Sequence, residues 1–197
     1  MKRILVFLSI LSVSLFSGSS SEKMEIRHYY ERSYDYEHVG KYHDAIEAIL
    51  PLYRKYPHGY TLNLRLGWLF FLNGNYNDAI KHYSDAIKSS PDAFSPKLGL
   101  MRVYLSNYSY EKVQPLAAEI LKNDYYNYYA NLYLSQALTA QKKYDAAIET
   151  VKKMLQRYPT DIAYLEQLLA LYKETKSPYY NDLLNDLSIL RPQDYTK

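Results

Sequence analysis

The chain of 197 residues contains no cysteine. That excludes disulfide staples, a thiol nucleophile and thiolate metal ligands, and it leaves no residue to carry a lipoprotein anchor. The absence is compatible with an oxidising compartment but does not require one. Glycine is scarce, six in all, and none belongs to a phosphate-cradling loop. The five histidines (His28, His38, His43, His58 and His82) are scattered, and none stands in a metal-ligand spacing such as His-Glu-x-x-His. His43 and His82 are expected on exposed helix faces. A strong charge imbalance is missing as well: 24 basic against 21 acidic residues give a formal net charge of +3, a near-neutral balance that gives no support for nucleic-acid binding, which wants a clustered basic face. Asp44, Asp78 and Asp145 recur where helices begin, which suits the helix dipole better than paired-carboxylate catalysis. No catalytic residue, cofactor or metal is expected, and the chain is not read as an enzyme.

What the sequence does hold is tyrosine, 25 of them. Tyrosine carries a large apolar body with a polar tip, so a helical protein rich in it can bury rings whose hydroxyls still find partners. The N-terminus has a different character. Lys2 and Arg3 precede an apolar run from Ile4 to Phe16, and small residues follow from Ser17 to Ser21. That order is the pattern of a secretory signal peptide, with cleavage expected after Ser19. The run is shorter than the roughly 20 residues of a spanning helix. The alternative is an uncleaved anchor in the inner membrane. Without Lys2 and Arg3 the chain has 22 basic and 21 acidic residues, a net charge of +1. Residues 1–19 are thus expected as signal peptide and 20–25 as a short linker, with a periplasmic or secreted destination.

The remainder repeats. Tyr42, Tyr76, Tyr110 and Tyr144 are spaced by 34 residues, followed three positions later by Ala45, Ala79, Val113 and Ala147. Fifteen positions after each tyrosine come Pro57, Pro91, Tyr125 and Pro159. Within each unit two apolar stripes at helical spacing are split by a polar turn such as Leu72-Asn-Gly-Asn75, which predicts a helical hairpin. Gly67 and Ala79 are expected to let the paired axes approach closely, and Tyr76 and Tyr83 to fill space between neighbouring hairpins. Pro91 should stop a helix, Asp92 or Ser95 should cap the next with Pro96 in its first turn, and Thr160 or Asp161 should cap the helix after Pro159. Ser177-Pro178 resembles one more helix start. Pro51 and Pro115 fall inside expected second helices and predict local kinks. The third unit also lacks a turn glycine and a terminal proline.

The second unit, with Leu66-Gly67, Phe70, Gly74, Tyr76, Ala79, Tyr83, Ala86 and Pro91, resembles the tetratricopeptide repeat (TPR) family nearly position for position, except that Asn63 stands where the family's leading Trp would be. The resemblance implies an all-α, right-handed α-solenoid. Four regular units span about 26–59, 60–93, 94–127 and 128–161. A degenerate fifth at 162–193 should cap the array with a polar outer face. The fold's extended concave surface binds other molecules, and by the family pattern it is lined by the first helix of each hairpin. The residues expected there are Tyr30, Tyr34 and His38; Leu64, Arg65, Trp68, Phe71 and Leu72; Leu98, Arg102 and Leu105; and Tyr129, Leu132, Tyr133 and Gln136. Leu64 and Trp68 occupy the places of the Lys and Asn of the family's carboxylate clamp, so a cytosolic cochaperone role is not expected. The resemblance implies an adaptor that binds a protein or peptide segment; with the N-terminal segment read as a signal peptide, the expectation is an exported one serving assembly of a cell-envelope complex. A self-assembling structural module and a glycan-binding groove are the alternatives. Arg65→Glu or Trp68→Ala is expected to abolish partner capture without unfolding the chain. A core position for Trp68 is the competing reading.

Overall fold

A computed structural model describes residues 19–191. The signal segment expected over 1–19 therefore lies, apart from Ser19, outside the described residues, as do Pro192 and the Asp-Tyr-Thr-Lys tail. Among the described residues ten α-helices follow one another: α1 (Ser20–His38), α2 (Tyr42–Lys55), α3 (Tyr60–Leu72), α4 (Tyr76–Ser89), α5 (Phe94–Ser106), α6 (Val113–Asn123), α7 (Tyr128–Ala140), α8 (Tyr144–Arg157), α9 (Ile162–Glu174) and α10 (Tyr180–Leu190). They pair as five antiparallel hairpins stacked in chain order, an all-α solenoid.

Its curvature follows from which helices touch. The first helices α3, α5, α7 and α9 pack on one another in succession, whereas consecutive second helices make at most marginal contact. Close on one side and splayed on the other, the stack bends with its first helices inside.

The 34-residue period is visible in the backbone itself. Gly40, Gly74, Tyr108, Lys142 and Lys176 all have positive φ, between 52° and 77°, and each ends the first helix of a unit. At every one the two bonds of a Schellman turn close; in the second unit Gly74 N–H reaches Phe71 O (3.0 Å) and Asn75 N–H reaches Phe70 O (2.8 Å). The third unit therefore keeps the turn without its glycine. Hydrogen-bond closure on both sides holds Tyr108 in a conformation that favours glycine.

Several local expectations change. Residues 20–25, expected as linker, form the first turns of α1, capped by Ser19, whose Oγ accepts from Glu22 N–H (3.1 Å). Glu22 binds this extension to the end of α2, accepting from Lys55 Nζ (3.1 Å) and from the Tyr56 hydroxyl. Pro51 sits inside α2 on its exposed face, where the carbonyl it cannot serve belongs to the equally exposed Glu47. Pro115 does not interrupt a helix. A 3₁₀ turn at Tyr110–Lys112 comes first, so Pro115 lies in the opening turn of α6, where a missing N–H costs nothing. Neither Asp92 nor Ser95 caps α5; Ala93 holds that position without a side-chain bond. Asp161 does cap α9, accepting from Tyr164 N–H (3.1 Å). Helix α10 begins at Tyr180, just after Ser177-Pro178. It presents exposed Asn181, Asp182, Asn185 and Asp186, but also exposed Ile189 and Leu190.

The space above Gly67 is not given to helix backbone. The Tyr83 ring fills it, and a Cβ on Gly67 would stand 2.7 Å from that ring. On its other side Tyr83 meets Gly99 of the next unit, where a Cβ would lie 2.4 Å away. One ring thus locks two hairpins together, as expected of Tyr83, and burial pushes its phenol pKa up.

The missing Trp has a physical counterpart. Position 63 and its equivalents 97 and 131 are buried polar residues, each tied to the second helix of its own unit. Asn63 Oδ1 meets His82 Nδ1 (2.9 Å), Lys97 pairs with Glu119 (2.8 Å), and Asn131 Oδ1 accepts from Lys153. His82 is accordingly buried rather than exposed, stacked flat on Phe70 and edge-on to Tyr53. His43 is exposed. Among the described residues no buried side-chain nitrogen or oxygen lacks a partner.

Candidate functional site

The inner face is built by α1, α3, α5 and α7, and its centre is Trp68. The side chain is half-buried, with its indole N–H donating to Glu37 Oε1 (2.6 Å) and its ring tilted against Phe71 at 5.8 Å. Three concavities share it. One of about 590 Å³ is walled by Tyr30, Tyr34, Glu37, Thr61, Leu64 and Arg65. A second, of about 240 Å³, lies between α3, α5 and α7, bounded by Leu64, Leu98, Arg102, Tyr129 and Tyr133 with Tyr83, Ser95 and Gly99. A third of about 620 Å³ opens toward the first hairpin tip, bounded by Tyr34, Asp35, Glu37, His38, Tyr42 and Leu72.

Most residues expected in the groove are thus brought together, but in different states. Tyr34 and Tyr129 are exposed, whereas Tyr133 is buried. Tyr30 is half-buried and donates to Thr61 Oγ1 (3.3 Å). Leu105 packs into the core around Met101 and Val113, and neither it nor the exposed Gln136 lines these concavities. Arg65 departs furthest from expectation. It is 7% exposed, ion-paired with Glu37, hydrogen-bonded from Nη2 to Ser33 Oγ (3.0 Å), and covered by the Tyr34 ring at 3.8 Å. It ties α1 to α3, and its charge is already neutralised.

Arg102 is different. Its Nε and Nη2 both donate to the Tyr133 hydroxyl (3.1 and 2.7 Å), and its guanidinium lies 5.1 Å from the Trp68 ring centre and 6.0 Å from that of Phe71. Sequence reasoning missed Glu37, Thr61 and Ser95. They fall on first helices in the same 3–4-residue rhythm as the aromatic residues, which was the available signal. Tyr108, Tyr125, Tyr126 and Tyr128 lie in the chain around the passage from the third unit to the fourth. Tyr128 instead joins the fourth unit to the fifth: Tyr164 donates to its carbonyl (2.6 Å), and its own hydroxyl donates to Asp161 (3.1 Å). The other three are exposed. Among the described residues no group of three or more His, Asp and Glu is placed to hold a metal ion, and no helix is long and apolar enough to cross a membrane.

The profile of the Tetratricopeptide repeat family matches residues 30–94 and 102–162. The chain belongs to the tetratricopeptide repeat family. A general protein-binding role goes with TPR membership. No curated protein sequence matches it significantly. Among solved structures, the TPR array is similar to MamA 41-end from Desulfovibrio magneticus RS-1, with 17% identity and a TM-score of 0.77 over 86% of this chain and 97% of that one. It is also similar to a tetratricopeptide repeat protein from Parabacteroides merdae, with 19% identity and a TM-score of 0.76 over 87% of this chain and 68% of that one. At such identities the likeness is one of fold. The TPR inner face, centred on Trp68, is the candidate site.

Proposed function

We propose that the protein is an exported TPR adaptor that docks a protein or peptide segment along its first-helix groove, in service of assembling a cell-envelope complex. The observation that carries this reading is the continuity of the groove. Three concavities meet at one half-buried Trp, and their walls mix exposed Tyr34 and Tyr129 with Leu64 and Leu98. Tyr, Trp and Arg are the residue types that dominate binding hot spots. Export rests on the order of Lys2-Arg3, apolar run and small residues.

The test places a photoreactive residue at Tyr129, on the groove rim, or at Tyr108, on a hairpin tip away from it. Irradiation in the native envelope should give one discrete adduct from Tyr129 and none from Tyr108. Equal labelling from both, or none from Tyr129, counts against the groove. Export is tested by fusing residues 1–19 to a reporter active only outside the cytoplasm; an inactive fusion removes it.

A second reading, self-assembly, is favoured by the exposed Ile189 and Leu190 on the last helix, which a stacking copy would cover. Light scattering that stays monomeric from micromolar to millimolar concentration excludes it.

A further inference from the structure

We propose that Arg102 is the recognition point for an acidic side chain, so that the segment in the groove carries an internal aspartate or glutamate flanked by apolar residues. This inference rests on the groove reading above and adds the chemistry of the occupant.

The two groove arginines differ in what neutralises them. Arg65 has Glu37 and Ser33. Arg102, held 37 residues later on α5, has no carboxylate within ion-pair distance among the described residues; two of its donors converge on one neutral oxygen, the Tyr133 hydroxyl. A guanidinium offers five donors in a planar fork, so donors remain for a carboxylate. The aromatic faces of Trp68, Phe71 and Tyr133, at 5.1 to 6.0 Å, favour the cation without accepting those bonds. The concavity beside it, about 240 Å³, has no acidic residue in its lining and Arg102 as its single cation. One cation with apolar walls of Leu64 and Leu98 matches a carboxylate with aliphatic neighbours better than a doubly charged phosphate. The groove also continues past Arg102, since Leu64 and Trp68 are shared with the larger concavity on α1. The geometry therefore suits a side chain from within a segment and does not call for a chain end.

Trp68 is the sole tryptophan and stands beside Arg102, so its fluorescence reads this position directly. The full chain is titrated with three peptides: acetyl-Gly-Leu-Glu-Leu-Gly-amide, its Gln counterpart, and acetyl-Gly-Leu-Gln-Leu with a free carboxyl end. The Glu peptide should give a saturable change and bind at least about ten-fold more tightly than the Gln peptide. Arg102→Met should bring the Glu and Gln peptides to equal affinity with an unchanged circular dichroism spectrum. Should that variant not fold, the Glu and Gln comparison on the native chain decides alone. Equal binding of Glu and Gln peptides, tighter binding of the free-ended peptide, or no response to any of the three overturns the proposal. Equal binding leaves the groove reading standing, which the Tyr129 crosslink judges separately.

Discussion

At the residue scale, buried His82 couples stability to pH. Asn63 Nδ2 already donates to the carbonyls of Pro57 and Gly59, so Asn63 Oδ1 is the acceptor and His82 Nδ1 carries the proton of a neutral imidazole. Burial, with Lys81 adding to it, lowers the His82 pKa to about 4 from an ordinary 6.5. Between those values the unfolded chain binds a proton that the folded chain refuses. Stability is therefore full above the upper value and falls as pH drops through the window, by at most about 3 kcal/mol in all. Urea unfolding at a series of pH values should show that slope, and His82→Gln should flatten it; an unchanged slope means other groups carry it. Arg65 makes a second residue-scale case. Because it is buried against Glu37, Arg65→Glu sets two carboxylates together and should cost about 3–5 kcal/mol in the same assay. The expectation that this variant spares the fold does not survive its burial. A loss below about 1 kcal/mol would mean the pair is solvated like a surface bridge.

At the scale of the element, the recurring left-handed turn makes opposite substitutions informative. Gly74 has open space where a Cβ would point, so Gly74→Ala meets no clash, only an unfavourable φ. It should lower stability by about 1 kcal/mol. Lys142 sits in the same turn one unit beyond Tyr108 with a side chain already there. Lys142→Gly reverses both effects, relieving the strain while freeing the unfolded chain, and should raise stability by up to about 1 kcal/mol. Denaturation midpoints check both, and a destabilised Lys142→Gly would show that Lys142 has contacts worth more than its backbone strain. The same turns were legible in the sequence only where glycine marked them. Tyr108, Lys142 and Lys176 carry no such mark, and the helices on either side impose the conformation.

At the scale of the whole molecule, a linear stack is held by neighbour contacts, so its ends should open first. Among the described residues, helix α10 packs chiefly on α9, whereas α5 touches α3, α4, α6 and α7. Amide exchange should be fastest in α10 and slowest in α3 to α7; uniform protection would show one cooperative unit instead. The two-sided packing of Tyr83 against Gly67 and Gly99 predicts that the second and third units exchange together.

The sequence by itself determined the repeat length and the hairpins, because period and residue type survive in one dimension. The register of Tyr42, Tyr76, Tyr110 and Tyr144 is enough for that. Only the tertiary structure decided which charges are free. Arg65 and Arg102 look alike in the chain, yet one is neutralised by Glu37, 28 residues earlier on another helix, and the other is hydrogen-bonded to the neutral Tyr133 hydroxyl with no carboxylate in ion-pair distance among the described residues. His82 and the exposed His43 likewise differ only in what folds over them. Burial and partner choice depend on how neighbouring units stack, and no local pattern of residues encodes that distance.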